Sequence, residues 1–143
     1  MKGFRFRLAP VQRLRRQEEE ARQLALAQEL SALERLRGAE AEQASFLAGL
    51  ERQGSGTALV TIEQLALERA SYEAGSRRLR GLRSSREEQE GAVGEARRAL
   101  ERVSVAREAI DRLGEAARAR HERARAAAEL AELDEISVQR HRP

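Results

Sequence analysis

A glycine–serine–glycine interruption, Gly54-Ser55-Gly56, separates two long stretches that otherwise carry every mark of helix. Two glycines so close together are a strong break in helical pattern. The only prolines, Pro10 and Pro143, stand at the start of the first stretch and at the last position of the sequence. Pro10 suits the first turn of a helix, where its missing N–H has no partner to lose. A chain with one central break and no other punctuation of that strength has few choices. It reads as helix, turn, helix.

The apolar spacing supports this. In the first stretch Leu26, Leu30, Leu33, Ala44 and Leu47 follow a 4-3 repeat, interrupted at Arg37 and Glu40, with Leu36 and Leu50 beside the seam. Such a repeat is the signature of helices packed along a narrow stripe. After the break, Thr61-Ile62-Glu63-Gln64 reads as a capping box, in which the threonine hydroxyl and the glutamine side chain satisfy each other's backbone N–H. The second stripe takes in Ile62, Leu65, Tyr72, Leu79, Val93, Leu100, Val103, Ile110, Ala117, Ala124 and Ala128. Gly75, Gly81, Gly91, Gly94 and Gly114 punctuate it. Each costs about 1 kcal/mol against alanine in a helix. Two readings stay open: curvature or a local defect over 75–94, or one continuous helix whose packing compensates.

The expected fold is therefore all-α: two long helices in an antiparallel coiled-coil hairpin within a single domain, 1–143. The first helix is expected over about 10–52, a turn over 53–60, and a longer second helix over about 61–139. Folding near residue 56 exhausts the first helix opposite about residues 100–107. Residues from roughly 110 to 140 are then left without an intrachain partner, although they carry Leu113, Leu130, Leu133 and Ile136. A lone helix with an apolar stripe is marginal in water, so this segment is expected to dock on another protein. Residues 1–9, with alternating Phe4-Arg5-Phe6-Arg7-Leu8, form an extended or fraying lead-in that could join it.

Composition narrows the function classes. Charged residues are 36% and aromatics 3%, with no Trp and no Cys, which suits helices with wet outer faces better than a compact core. Without Cys there is no disulfide or thiolate chemistry. His121 has no second histidine at helical spacing and His141 sits at the end of the sequence, so no zinc site is expected. Glu18-Glu19-Glu20 and Glu87-Glu88 are consecutive, and consecutive helical residues do not face one target. Gly54-Ser55-Gly56 lacks the Lys-Ser/Thr ending of a phosphate loop. No catalytic residue, cofactor or metal is expected, and the chain is not expected to be an enzyme.

Basic clusters at 77–83 and 118–125 could neutralise phosphates, but acids are interspersed along most of the chain and no aromatic platform accompanies them. Nucleic-acid binding is not expected. No stretch has the roughly 20 apolar residues of a membrane span. The arginine-rich start could imitate a transit peptide, but Glu18, Glu19 and Glu20 continue the same helix, which argues against its removal. The expected location is cytoplasmic.

Two end motifs carry a family resemblance. Phe4-Arg5-Phe6-Arg7-Leu8-Ala9-Pro10-Val11-Gln12-Arg13-Leu14-Arg15 resembles the opening of the flagellar export protein FliJ family, with Gln12 where leucine is common. Glu129-Leu130-Ala131-Glu132-Leu133-Asp134-Glu135-Ile136 resembles that family's closing Leu-Asp-Glu segment. Length, absence of Cys and the two-helix pattern also match, so the resemblance spans the chain.

The resemblance implies a type III export component similar to the central stalk of rotary ATPases. Its paired terminal helices would sit in the pore of the hexameric export ATPase FliI, and its turn would reach the export gate protein FlhA. Links to the regulator FliH and to export chaperones are also implied, with peripheral association at the inner-membrane export apparatus. By this analogy Phe4, Phe6, Leu8, Val11 and Leu14 form or flank the ATPase-facing end with Leu130, Leu133, Asp134, Glu135 and Ile136. Phe46 and Tyr72 would lie toward the gate. The equivalent stalk of a virulence secretion system and a generic coiled-coil scaffold are the alternatives.

Overall fold

The computed structural model describes residues 3–54, 56 and 59–140. Ser55 and Thr57 of the predicted turn, and His141, lie outside the described residues. Two helices account for nearly all of the rest: α1, Ala9–Gly54, of 46 residues, and α2, Ile62–Arg140, of 79 residues. No strand occurs among the described residues. The fold is all-α, with the longer second helix packed antiparallel on the first.

Local chemistry explains the helix ends. Pro10 is the second residue of α1, where no intrahelical donor is required of it. The capping box at the start of α2 is formed: Thr61 N donates to Gln64 Oε1 at 2.9 Å, and Gln64 N donates to Thr61 Oγ1 at 3.2 Å. α2 then runs unbroken through Gly75, Gly81, Gly91, Gly94 and Gly114, as one continuous helix with no break over 75–94. Alanine, leucine, arginine and glutamate dominate both helices, and these are the residues that lose least on becoming helical.

The chain divides into two compact units, residues 22–100 and residues 1–21 with 101–143. In the first unit the cross-helix partners run in opposite order along the two helices. Glu29 meets Gln89, Glu40 meets Arg86, Gln43 meets Gly75, and Glu51 meets Tyr72. Among the described residues, only Leu33, Leu47 and Val93 are buried hydrophobic side chains, at 5, 7 and 4% exposure. Around them lie charged rungs. Arg86 is held between Glu40 at 2.8 Å and Glu90 at 3.0 Å, and Arg37 reaches Glu34 at 3.2 Å and Glu90 at 3.3 Å.

One expectation about this unit is corrected. Ile62 and Leu65, placed on the apolar stripe, are 85% and 54% exposed. Glu51, near the end of α1, lies opposite Tyr72 rather than opposite the first turn of α2. The opening turns of α2 therefore overhang the end of α1, and all residues from Thr61 to Ala70 are exposed.

The second unit corrects the expected free segment. One face of residues 110–120 is half-buried, through Ile110, Asp111, Gly114 and Ala117, whereas Leu113 stays 51% exposed as expected. Gln12 and Arg16 both donate to Asp111, and the Glu19 carboxylate accepts from Ser104 at 2.7 Å. Arg107 Nε lies 2.6 Å from the other Glu19 oxygen without the alignment of a hydrogen bond, so that contact is an ion pair. Residues 3–6 are non-helical, as expected of an extended lead-in, and their two phenylalanines rest on α2. Phe6 packs on Gly114, where an added Cβ would lie 3.3 Å from its ring. The Phe4 ring stands 5.4 Å from that of His121, tilted by 55°, with the Arg118 guanidinium 6.0 Å from its centre. Contact from the lead-in thus reaches the ring of His121, beyond the reach of α1 itself.

Candidate docking surfaces

The residues assigned by resemblance to an ATPase-facing end fall in one unit but in two separate groups. Phe4, Phe6 and Val11 are half-buried, with Phe4 and Phe6 resting on α2 between Gly114 and His121. Leu8 and Leu14 are 36% and 53% exposed. Leu130, Leu133 and Ile136 are 65, 62 and 48% exposed, and Asp134 and Glu135 are exposed beside them. Leu130 begins nine residues past His121, about 14 Å along the axis at about 1.5 Å per residue. The structure does not bring the phenylalanines and the closing leucines together.

Their faces differ as well. Helical periodicity of about 100° per residue continues the Gly114–Ala117–His121 seam through Ala124, Ala128 and Ala131. Leu130 and Leu133 lie roughly half a turn away from that alanine seam, in line with Ala126. From His121 to Gln139 every residue is exposed. The uncovered part of α2 thus has a small-residue edge and a separate leucine stripe.

The lead-in clasp has a local explanation. Phe6 needs a flat seat, and Gly114 supplies it by having no side chain. Below it, polar contacts hold Asp111 ionised. The Gln12 amide, then the Arg107 guanidinium, keep its carboxyl below the usual aspartate range. Arg107 is in turn held above its usual value, chiefly by its hydrogen bond to Asp111. These contacts position the helices against each other, beside an open hollow of about 400 Å³ that Phe6, Gln12, Asp111 and Gly114 line.

The two residues assigned to a gate-facing end sit in the other unit. Phe46 is 52% exposed, and the Tyr72 hydroxyl donates to Glu51 at 2.8 Å. That carboxylate raises the tyrosine's pKa above its usual value. Phe46 and Tyr72 belong to different surface hollows, one with Ala74, Gly75 and Arg78, the other with Leu50, Leu65 and Arg69. The more exposed apolar groups nearby are Leu59 at 106%, Ile62 at 85% and Leu67 at 70%, on the overhang.

Several contributing residues were missed by sequence reasoning. Gly75 is buried under Leu47 and accepts a hydrogen bond at its carbonyl from Gln43, 3.3 Å away. Gly114 seats Phe6. The only local signal for either was a glycine in a helix that tolerates it poorly. The Glu19–Arg107–Asp111 and Glu40–Arg86–Glu90 clusters had no signal, because arginine and glutamate are abundant throughout.

Among the described residues no group of three potential ligands could hold a metal ion, and no helix is long and apolar enough to cross a membrane. Comparison with protein-family models, curated proteins and solved structures finds no match to this chain. The fold and surfaces define a class: an antiparallel helical hairpin whose longer helix carries an uncovered, partly apolar end.

Proposed function

We propose that this chain is a non-enzymatic, stalk-like component of a flagellar-type export machine. It binds the export ATPase hexamer, promotes its turnover and communicates with the membrane export gate. One observation carries the reading: α2 continues past the Phe4 clasp as an exposed helix from His121 to Gln139, bearing Leu130, Leu133 and Ile136 at 65, 62 and 48% exposure. An uncovered amphipathic helix end is a common form for a segment that lays its apolar face in a partner's groove. The motif resemblance at both ends of the chain supports the identity of that partner as FliI. On the same reading FlhA meets the exposed apolar residues of the α2 overhang, beside Phe46 and Tyr72. FliH and export chaperones are further partners, and the protein acts in the cytoplasm at the inner-membrane apparatus.

The test is phosphate release by the purified cognate export ATPase with and without this chain. Stimulation is expected, and it should fall when Leu130, Leu133 and Ile136 are all replaced by alanine. Circular dichroism checks that the variant stays helical. An unchanged rate, with no complex on a sizing column, overturns the proposal. Stimulation of a virulence-system ATPase but not a flagellar one assigns the chain to that machine instead.

A further inference from the structure

The end of α2, from Arg118 beside Phe4 onward, is divided by charge. Over residues 118–125 it carries Arg118, Arg120, Arg123 and Arg125 against Glu122 alone. Over residues 126–139 it carries Glu129, Glu132, Asp134 and Glu135 and no arginine or lysine. Ala126, Ala127 and Ala128 separate the two blocks. Nothing in α2's own folding demands this segregation. The helix groups its signs once more, with Arg77, Arg78, Arg80, Arg83 and Arg86 ahead of Glu87, Glu88, Glu90 and Glu95, but there Arg83, Arg86 and Glu90 pair with α1.

A segment with a basic half, a neutral centre and an acidic half is complementary to itself when reversed. We propose that residues 118–137 of α2 pair antiparallel with the same segment of a second copy of this chain. The inference goes beyond the export reading and does not depend on it. A two-fold axis near Ala127–Ala128 makes the contact self-complementary, with the same patch on both copies. Along the leucine stripe, Leu130 of one copy then lies on Ala126 of the other. Leu133 lies on the aliphatic stem of Arg123, and Arg120 stands beside Asp134. Small residues at the crossing allow the axes to approach to about 8 Å, the close end of helix packing.

Near the axis the two Glu129 side chains approach each other. Each is already neutralised within its own helix by Arg125, whose Nε lies 2.8 Å from the carboxylate. The reverse alternative, a parallel pair, sets arginine block against arginine block and acid against acid. Charge therefore selects the orientation, as it does at the flanks of coiled coils. The contact is one helix pair of about 20 residues, about 30 Å long, smaller than the roughly 1,200–2,000 Å² of a standard stable interface. The dimer should therefore be weak, concentration-dependent and sensitive to salt, because exposed ion pairs are screened over about 8 Å at physiological ionic strength.

The test uses the full chain. Light-scattering mass is followed from low to high protein concentration and from about 0.05 to 0.5 M salt, spanning the range in which screening becomes strong. The expected result is a mass rising from 16.0 kDa toward twice that value at low salt, and falling back in high salt. Arg120→Glu and Asp134→Arg should each weaken the dimer at least tenfold, and the double variant should restore it. Because the chain has no cysteine, single introduced thiols report geometry cleanly. Ala127→Cys should cross-link to itself on oxidation. Ala119→Cys should cross-link to Ser137→Cys of another copy and not to itself.

Three outcomes overturn the proposal: a monomer at every concentration, a dimer indifferent to both charge reversals, or self-cross-linking at Ala119→Cys as in a parallel pair. A chain that is monomeric alone and becomes protected over 118–137 only with the ATPase present also overturns it, and assigns the charge blocks to that partner. ATPase stimulation is measured separately, so failure of the dimer and failure of the export reading are told apart.

Discussion

Replacing Gly75 by alanine should destabilise the chain, whereas the same change at Gly81 should stabilise it. Both glycines lie inside α2, where alanine is favoured by about 1 kcal/mol. At Gly81 an added Cβ meets nothing within 4 Å, so the gain of about 0.5–1 kcal/mol should be realised. At Gly75 the new atom falls 2.8 Å from Leu47 Cδ2 and 3.1 Å from Gln43 Nε2. Carbon atoms prefer about 3.5–4.0 Å, so Leu47 must move by most of an ångström. It is 7% exposed and one of three buried apolar side chains, so it has little room to do so. Overpacking of this kind costs about 1–3 kcal/mol, which offsets the helical gain or exceeds it. The two variants should differ by about 1–3 kcal/mol, measured as the shift in urea midpoint followed by far-ultraviolet circular dichroism. The cause can be isolated with Leu47→Ala, which removes the obstructing methyl. In that background Gly75→Ala should become stabilising, with a coupling of about 1–3 kcal/mol between the two sites. Equal gains at Gly75 and Gly81, or a Gly75→Ala effect unchanged by Leu47→Ala, would refute the packing argument.

The remaining predictions concern protons. Glu51 raises the pKa of Tyr72, first through the hydrogen bond it accepts. The contact therefore contributes stability below the unfolded value of about 10 and loses it as pH rises through the higher folded value. The chain has one tyrosine and no tryptophan, so ultraviolet absorbance of the phenolate reads this group alone, and Glu51→Gln should bring its titration down. Asp111 is held below its ordinary pKa by Gln12 and then Arg107, and Glu90 by Arg86 and then Arg37. Their stabilising effect is present above the unfolded carboxylate values of about 3.9–4.3 and is lost as pH falls through the lower folded values. The urea midpoint should be flat near neutrality and decline below about pH 4, less so in Asp111→Asn with Glu90→Gln.

How much of this could be read from the sequence depended on the distance over which each signal acts. The capping box needs only Thr61 and Gln64, and it was legible. So was the break after α1, because glycines disfavour helix locally. Continuity of α2 through its glycines was left open, since it depends on packing that no local window contains. Register was misjudged. Placing the fold at residue 56 treats the connection as symmetric, whereas Glu51 meets Tyr72 and the first turns of α2 overhang. That offset is decided by pairings between residues far apart in sequence. The same is true of Phe6 on Gly114, which seats the extended lead-in on α2 and moves the fully exposed end of α2 from about 110 to 121. The exposed leucines at 130 and 133 were legible as unpartnered because the first helix is too short to reach them.

The scarcity of enclosed side chains has an evolutionary corollary. Among the described residues only Leu33, Leu47 and Val93 are fully shut away from water, so few deeply buried side chains lock one helix against sliding along the other. Alignment then rests heavily on which charge meets which. Related sequences should accordingly drift freely among alanine, leucine and valine along the seam. Glu40 and Arg86 should be exchanged only together, sign for sign, as a lock and its key are recut in one operation.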